Sequence, residues 1–132
     1  MKKMLVLTLL LVGLAACSGG GAGAAVPEGQ WLLVSMPGHA VITETVTLMF
    51  DPARQTLSGN AGCNSYSGGY SVQGSRLTID ENMTMTLMAC PDRDWNEGEY
   101  LQLLSTASGL AIWDNRLILT VEGGEMVFTP IQ

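Results

Sequence analysis

The sequence predicts an α+β fold that is mainly β: a strongly curved antiparallel sheet of about eight short strands, half-barrel-like, packed with one helix. Two observations predict it. Short apolar runs recur between turn residues from Gln30 to the C-terminus, at roughly the 8- to 12-residue spacing of sandwiches and barrels. Only the segment from about Trp95 to Ser108 carries apolar residues at helical spacing, and a single helix cannot cover both faces of a parallel sheet. With 132 residues, 47% of them hydrophobic, the chain has the length of one domain.

The N-terminal segment stands apart from that pattern. Met1-Lys2-Lys3 precedes an apolar stretch, Met4 to Leu14, which runs into Leu14-Ala15-Ala16-Cys17. A positive start, a short apolar run and small residues before a cut are the parts of a signal peptide. The eleven residues from Met4 to Leu14 would rise about 16 Å as a helix, half the hydrocarbon thickness of a bilayer. Leu14-Ala15-Ala16-Cys17 resembles the lipobox of bacterial lipoproteins. That resemblance implies that Cys17 receives a diacylglyceryl group, that cleavage exposes its amine, and that acylation follows. At about 0.8 kcal/mol per buried methylene, several acyl chains hold where one exchanges. Ser18 is not the aspartate that marks inner-membrane retention in similar lipoproteins, so the expected place is the outer membrane, with the domain in the periplasm. The glycine- and alanine-rich residues after it read as a tether. The expected organisation is a signal peptide at 1–16, a lipidated Cys17 with its tether at 17–26, and a folded domain at 27–132.

Within the domain, Gln30–Met36 is the first expected strand, ended by Pro37-Gly38. Thr45–Phe50 alternates, with Val46, Leu48 and Phe50 on one face and threonines on the other, and Asp51-Pro52 closes it. Gln55–Asn60 follows. Gly69–Gln73 and Arg76–Asp80 then flank Gly74-Ser75, a two-residue connection suited to a tight hairpin. Met83–Met88, Leu110–Asp114, Arg116–Val121 and Glu125–Thr129 complete the strands, the last two joined through Gly123-Gly124. The helix is expected to start at Asp94-Trp95-Asn96-Glu97, where a capping residue stands three places before a glutamate. Tyr100, Leu101, Leu104 and Ala107 form its apolar stripe, and Gly109 stops it. Asp94, Glu97 and Glu99 fall in its first turns, where the helix dipole favours negative charge.

Charge and composition exclude several functions. Twelve acidic against six basic residues, net −6, leave no basic face for nucleic acid. Loss of Lys2 and Lys3 with the signal peptide would take the charge from −6 to −8 and leave only arginines. His39 is the one histidine, which removes chemistries that need two imidazoles and leaves a catalytic thiol without a partner. Met83, Met85, Met88 and Cys90 lie close in sequence, yet strand alternation divides them between two faces. They therefore read as core packing and not as a copper site, an exposed methionine patch for a ligand being the remaining alternative. The carboxylates fall at turns, so no acid–base pair is marked. Trp31, Trp95 and Trp113 read as core or helix-to-sheet packing. No cofactor and no metal is expected.

Two stretches are more specific. Leu57-Ser58-Gly59-Asn60-Ala61-Gly62-Cys63-Asn64-Ser65-Tyr66-Ser67-Gly68-Gly69-Tyr70 and Met83-Thr84-Met85-Thr86-Leu87-Met88-Ala89-Cys90-Pro91 resemble, in order, the two signatures of the META domain family, the family of HslJ-like heat-shock lipoproteins. The matching positions are Gly59, Gly62, Cys63, Asn64, Tyr70, Thr86, Met88, Ala89 and Cys90. The first stretch also makes sense as a compact turn. It lacks the lysine or following helix of a phosphate cradle.

Assigning Cys17 to the lipid leaves Cys63 and Cys90 in a compartment that oxidises thiols. A bridge between them is the simplest expectation; two buried free thiols are the alternative. The family resemblance implies a non-enzymatic lipoprotein with a role in envelope integrity or stress tolerance, bound to the membrane through its N-terminal lipid. The rival reading is a pilotin-like binding module, holding an acyl chain or a partner's segment in an apolar groove. It requires that the inward side chains leave such a groove unfilled.

Overall fold

A computed structural model describes residues 26–40, 42–91 and 93–132. The expected signal peptide, Cys17 and all of the expected tether except Val26 lie outside the described residues. Among the described residues the strands are β1 Gln30–Ser35, β2 Thr47–Asp51, β3 Thr56–Asn60, β4 Ser65–Gln73, β5 Arg76–Ile79, β6 Thr84–Met85, β7 Gly109–Trp113, β8 Arg116–Val121 and β9 Gly124–Pro130, with one helix, α1 Glu97–Ser105, between β6 and β7. All nine belong to one antiparallel sheet, and each of the nine expected segments has its strand, against an expected total of about eight.

The sheet curls into a ring. Neighbours run β3-β2-β1-β9-β8-β7-β5-β4, and β4 pairs again with β3. The join between β5 and β7 is thin, with Arg76 opposite Gly109 as its one registered pair. The fold is therefore ring-like and not a continuous barrel. Inward residues alternate as the pleat requires: Trp31 and Leu33, Leu48 and Phe50, Leu117, Leu119 and Val121, and Met126 and Phe128 are all buried. Tyr100 and Leu104 of α1 fill the same interior. The Tyr66 and Tyr100 hydroxyls lie 2.7 Å apart, and Tyr66 also donates to the Thr47 carbonyl at 2.8 Å. Burial, and then the Tyr100 phenol beside it, raises the Tyr66 phenol well above its ordinary value; burial does the same to Tyr100. Both stay neutral.

Four expectations are corrected by the structure. The β4 strand begins at Ser65, before the expected Gly69, because its glycines serve contact, not packing. A β-carbon on Gly69 would sit 2.1 Å from the Asp80 carboxylate, and one on Gly68 would sit 2.7 Å from Met83. Second, the expected strand Met83–Met88 shrinks to Thr84–Met85. Ile79 faces Tyr70 and Thr84 faces Ser67, so the β5–β6 side carries two more residues than β4 over that interval. Met83 and Met85 still pack on the core edge, but Leu87 is 90% and Met88 59% exposed. Third, Trp113 is 75% exposed at the β7–β8 hairpin tip, while Trp31 is buried and Trp95 half-buried. Fourth, α1 starts at Glu97 with Asn96 as its cap, two residues past the expected Asp94.

Register gives the ring two ends. One carries Gln30, where the described chain enters the sheet, the residues after Pro130, and the β2–β3, β4–β5 and β7–β8 turns. The other carries the β3–β4 and β8–β9 turns and the start of α1.

Candidate functional site

At the helix end of the ring, the β3–β4 turn is shaped by its own polar atoms. The Ala61 N–H donates to the Asn64 carbonyl at 2.8 Å, and the Gly62 N–H donates to Asn60 Oδ1 at 2.8 Å. Gly62 has φ +121°, and a β-carbon there would lie 2.6 Å from the Trp95 ring. That ring lies against the turn and donates from Nε1 to the Ala61 carbonyl. The Arg93 guanidinium donates to the Gly62 carbonyl at 2.6 Å.

The turn is tied to the segment after β6 twice over. Cys63 and Cys90 form a disulfide, with Cα atoms 6.3 Å apart, as expected. Beside it, the buried Asn64 amide behaves as a strand neighbour would. Its Oδ1 accepts the Met88 N–H at 2.7 Å and its Nδ2 donates to the Met88 carbonyl at 3.3 Å. Oδ1 also accepts the Thr86 hydroxyl proton at 2.9 Å. One side chain therefore satisfies the backbone that a longer β6 would otherwise have paired.

Glu97 completes the arrangement from the first turn of α1. Its Oε1 accepts the Cys63 and Asn64 N–H groups at 2.7 and 2.6 Å, and its Oε2 accepts the Asn64 amide at 2.8 Å. Burial pushes this carboxyl up, but the hydrogen bonds from Asn64 and Cys63, with the Arg93 charge, outweigh it and hold the group below its ordinary value. Because Asn96 caps the helix by accepting the Glu99 N–H at 3.2 Å, Glu97 is released from the capping box and reaches the turn instead.

Of the nine motif positions, Gly62, Cys63, Asn64, Thr86, Met88 and Cys90 meet here. Ala89 lies exposed between two of them. Gly59 sits one turn of chain away against the Thr47 carbonyl. Tyr70 does not join them; its ring packs edge-on against Phe50 with centroids 5.0 Å apart. Glu97, Trp95 and Arg93 were not marked by the sequence as site residues. Their signal was faint: a turn full of unpaired N–H donors, and an acid at a helix start whose cap is already supplied by the asparagine before it.

Beside the disulfide lies an open hollow of about 480 Å³, lined by Met85, Met88, Arg93, Trp95, Asn96 and Gly98 among others. Both Glu97 oxygens accept hydrogen bonds and both cysteines are in the bridge, so the residues that converge here fix the shape of the turn.

Fold and site together define a small single-helix domain on a curled antiparallel sheet, clamped at one end by a disulfide and a shared carboxylate. The META domain family model matches residues 24–132, and the chain belongs to that family. Its fold is similar to an NMR structure of a protein from Burkholderia xenovorans, with a TM-score of 0.60 and 22% identity over 76% of this chain and 79% of the other. A second NMR structure has the same score and identity, covering 77% of this chain and 88% of its own. No curated protein matches the chain.

Proposed function

We propose that the chain is a non-enzymatic outer-membrane lipoprotein whose META domain, facing the periplasm, serves envelope integrity or stress tolerance. The observation that carries this reading is how the three cysteines divide. Cys63 and Cys90 are spent on a bridge, which fits an oxidising compartment outside the cytosol. The one left over, Cys17, stands at the end of an apolar run with the lipobox pattern. Substituting Cys17→Ser should abolish incorporation of labelled palmitate and move the protein from the membrane to the soluble fraction. Unchanged membrane sedimentation would refute the anchor. A deletion strain should lose tolerance to detergent, heat or hydrophobic antibiotics, and unchanged survival in all three would refute the envelope role.

The binding-module reading takes a different form from the one the sequence suggested. The interior is occupied by Tyr100, Leu104, Phe128 and their neighbours. An acyl chain would therefore have to sit outside, and the hollow beside the disulfide, lined in part by Met85 and the exposed Met88, offers it a place.

A further inference from the structure

We propose that the end of the ring opposite the disulfide is a membrane-contact surface, on which the domain rests with the β7–β8 hairpin tip among the phospholipid headgroups. The proposal deepens the reading of an anchor at Cys17 and rests on it.

Register brings the pieces to one place. Gln30 faces Met49 across β1 and β2, and the Ile131 N–H donates to the Gln30 carbonyl at 2.8 Å. Leu117 faces Phe128, so Arg116 and its partner Trp113 follow at the same end. The chain between Cys17 and the folded domain enters here. Its nine residues, 18–26, reach no more than about 30 Å even when fully extended. The anchor therefore joins the fold at this end and keeps it within that distance of the bilayer.

What the end exposes suits that position. Trp113 is 75% exposed, Ile112 49%, Met49 44% and Ile131 41%. Asp114 and Asn115, both at positive φ (49° and 56°), make the two-residue turn that carries Trp113 at the tip. Indole has an apolar body and a polar N–H, the combination that settles at a membrane–water interface.

Charge points the same way. At this end Glu28, Asp51 and Asp114 are matched by Arg54, Arg76 and Arg116, and Arg54 is paired to Asp51 at 3.2 Å. Around the other end, Glu44, Asp94, Glu97, Glu99, Glu122 and Glu125 outnumber Arg93. The locally neutral end approaches phosphate headgroups without repulsion, and the acidic end is turned away.

The test uses the full lipidated protein in phosphatidylethanolamine–phosphatidylcholine vesicles containing brominated phosphatidylcholine, which quenches tryptophan in contact with lipid. The wild type should be quenched and Trp113→Phe should lose most of that quenching, since Trp31 is buried and Trp95 lies at the other end. Trp113 is a surface residue, so the substitution leaves the fold intact. Acylated, vesicle-bound protein that is not quenched, or is quenched equally in the variant, overturns the contact alone. Concentration-dependent crosslinking through the tip in place of quenching, as a second copy would give, overturns it too. Protein whose Cys17 carries no acyl mass and which stays free of vesicles overturns the anchor as well.

Discussion

Replacing Glu97 with alanine should destabilise the domain by about 3 kcal/mol, because hydrogen bonds to a charged group are each worth about 1.5–3 kcal/mol and do not add fully. Three donors lose their acceptor at once: the Cys63 N–H, the Asn64 N–H and the Asn64 amide. The dependence on pH follows from the direction of the shift. The folded carboxyl sits below its ordinary value of 4.5, so its stabilisation is fully present above that value and is lost as pH falls through the folded value. Glu97→Gln keeps the shape but sets an amide against the Asn64 amide, and should fall between wild type and alanine with a flatter acid limb. Urea midpoints at neutral and acid pH check both. A wild type and alanine variant with equal midpoints at neutral pH would show that the carboxylate holds nothing.

The strands of the ring were readable wherever one face is buried. Trp31 and Leu33, Leu48 and Phe50, and the β8–β9 pair all alternate. Reading failed where contact replaced alternation. Ser65-Tyr66-Ser67-Gly68-Gly69 shows one inward aromatic and two glycines whose purpose, making room for Met83 and Asp80, depends on residues more than ten places away. Past Thr86, whose N–H still donates to the Ser65 carbonyl, the Met88 backbone is paired by a side chain from position 64 and not by a strand. Nothing local in Thr86-Leu87-Met88 records this, and so alternation carried the strand too far. The bridge was legible by counting cysteines. The carboxylate beside it was not, because Asp94-Trp95-Asn96-Glu97-Gly98-Glu99 contains two overlapping cap patterns, and only the one at Asn96 and Glu99 is used. Choosing the other assigns Glu97 to the helix and hides its reach to Cys63, 34 residues earlier.

Removing the bridge, as Cys63→Ala with Cys90→Ala, should cost about 3–4 kcal/mol in the chain-entropy model, for cysteines 27 positions apart. The intact oxidised domain should correspondingly show no free thiol when denatured, and two equivalents in a thiol titration would refute the bridge. More is at stake than loop closure. The bridge and Glu97 act on the same turn: the sulfur link joins Cys63 to the segment through Cys90, and the carboxylate holds the Cys63 and Asn64 N–H groups in place for that link. Asn64 then carries the Met88 backbone from the same position. If the two supports acted independently, their losses would add. Because each one preserves the geometry that the other uses, the combined variant should lose less than the sum, with a coupling of about 1 kcal/mol or more in a double-mutant cycle. Strict additivity of the measured losses would show that the two supports act independently and overturn the coupling.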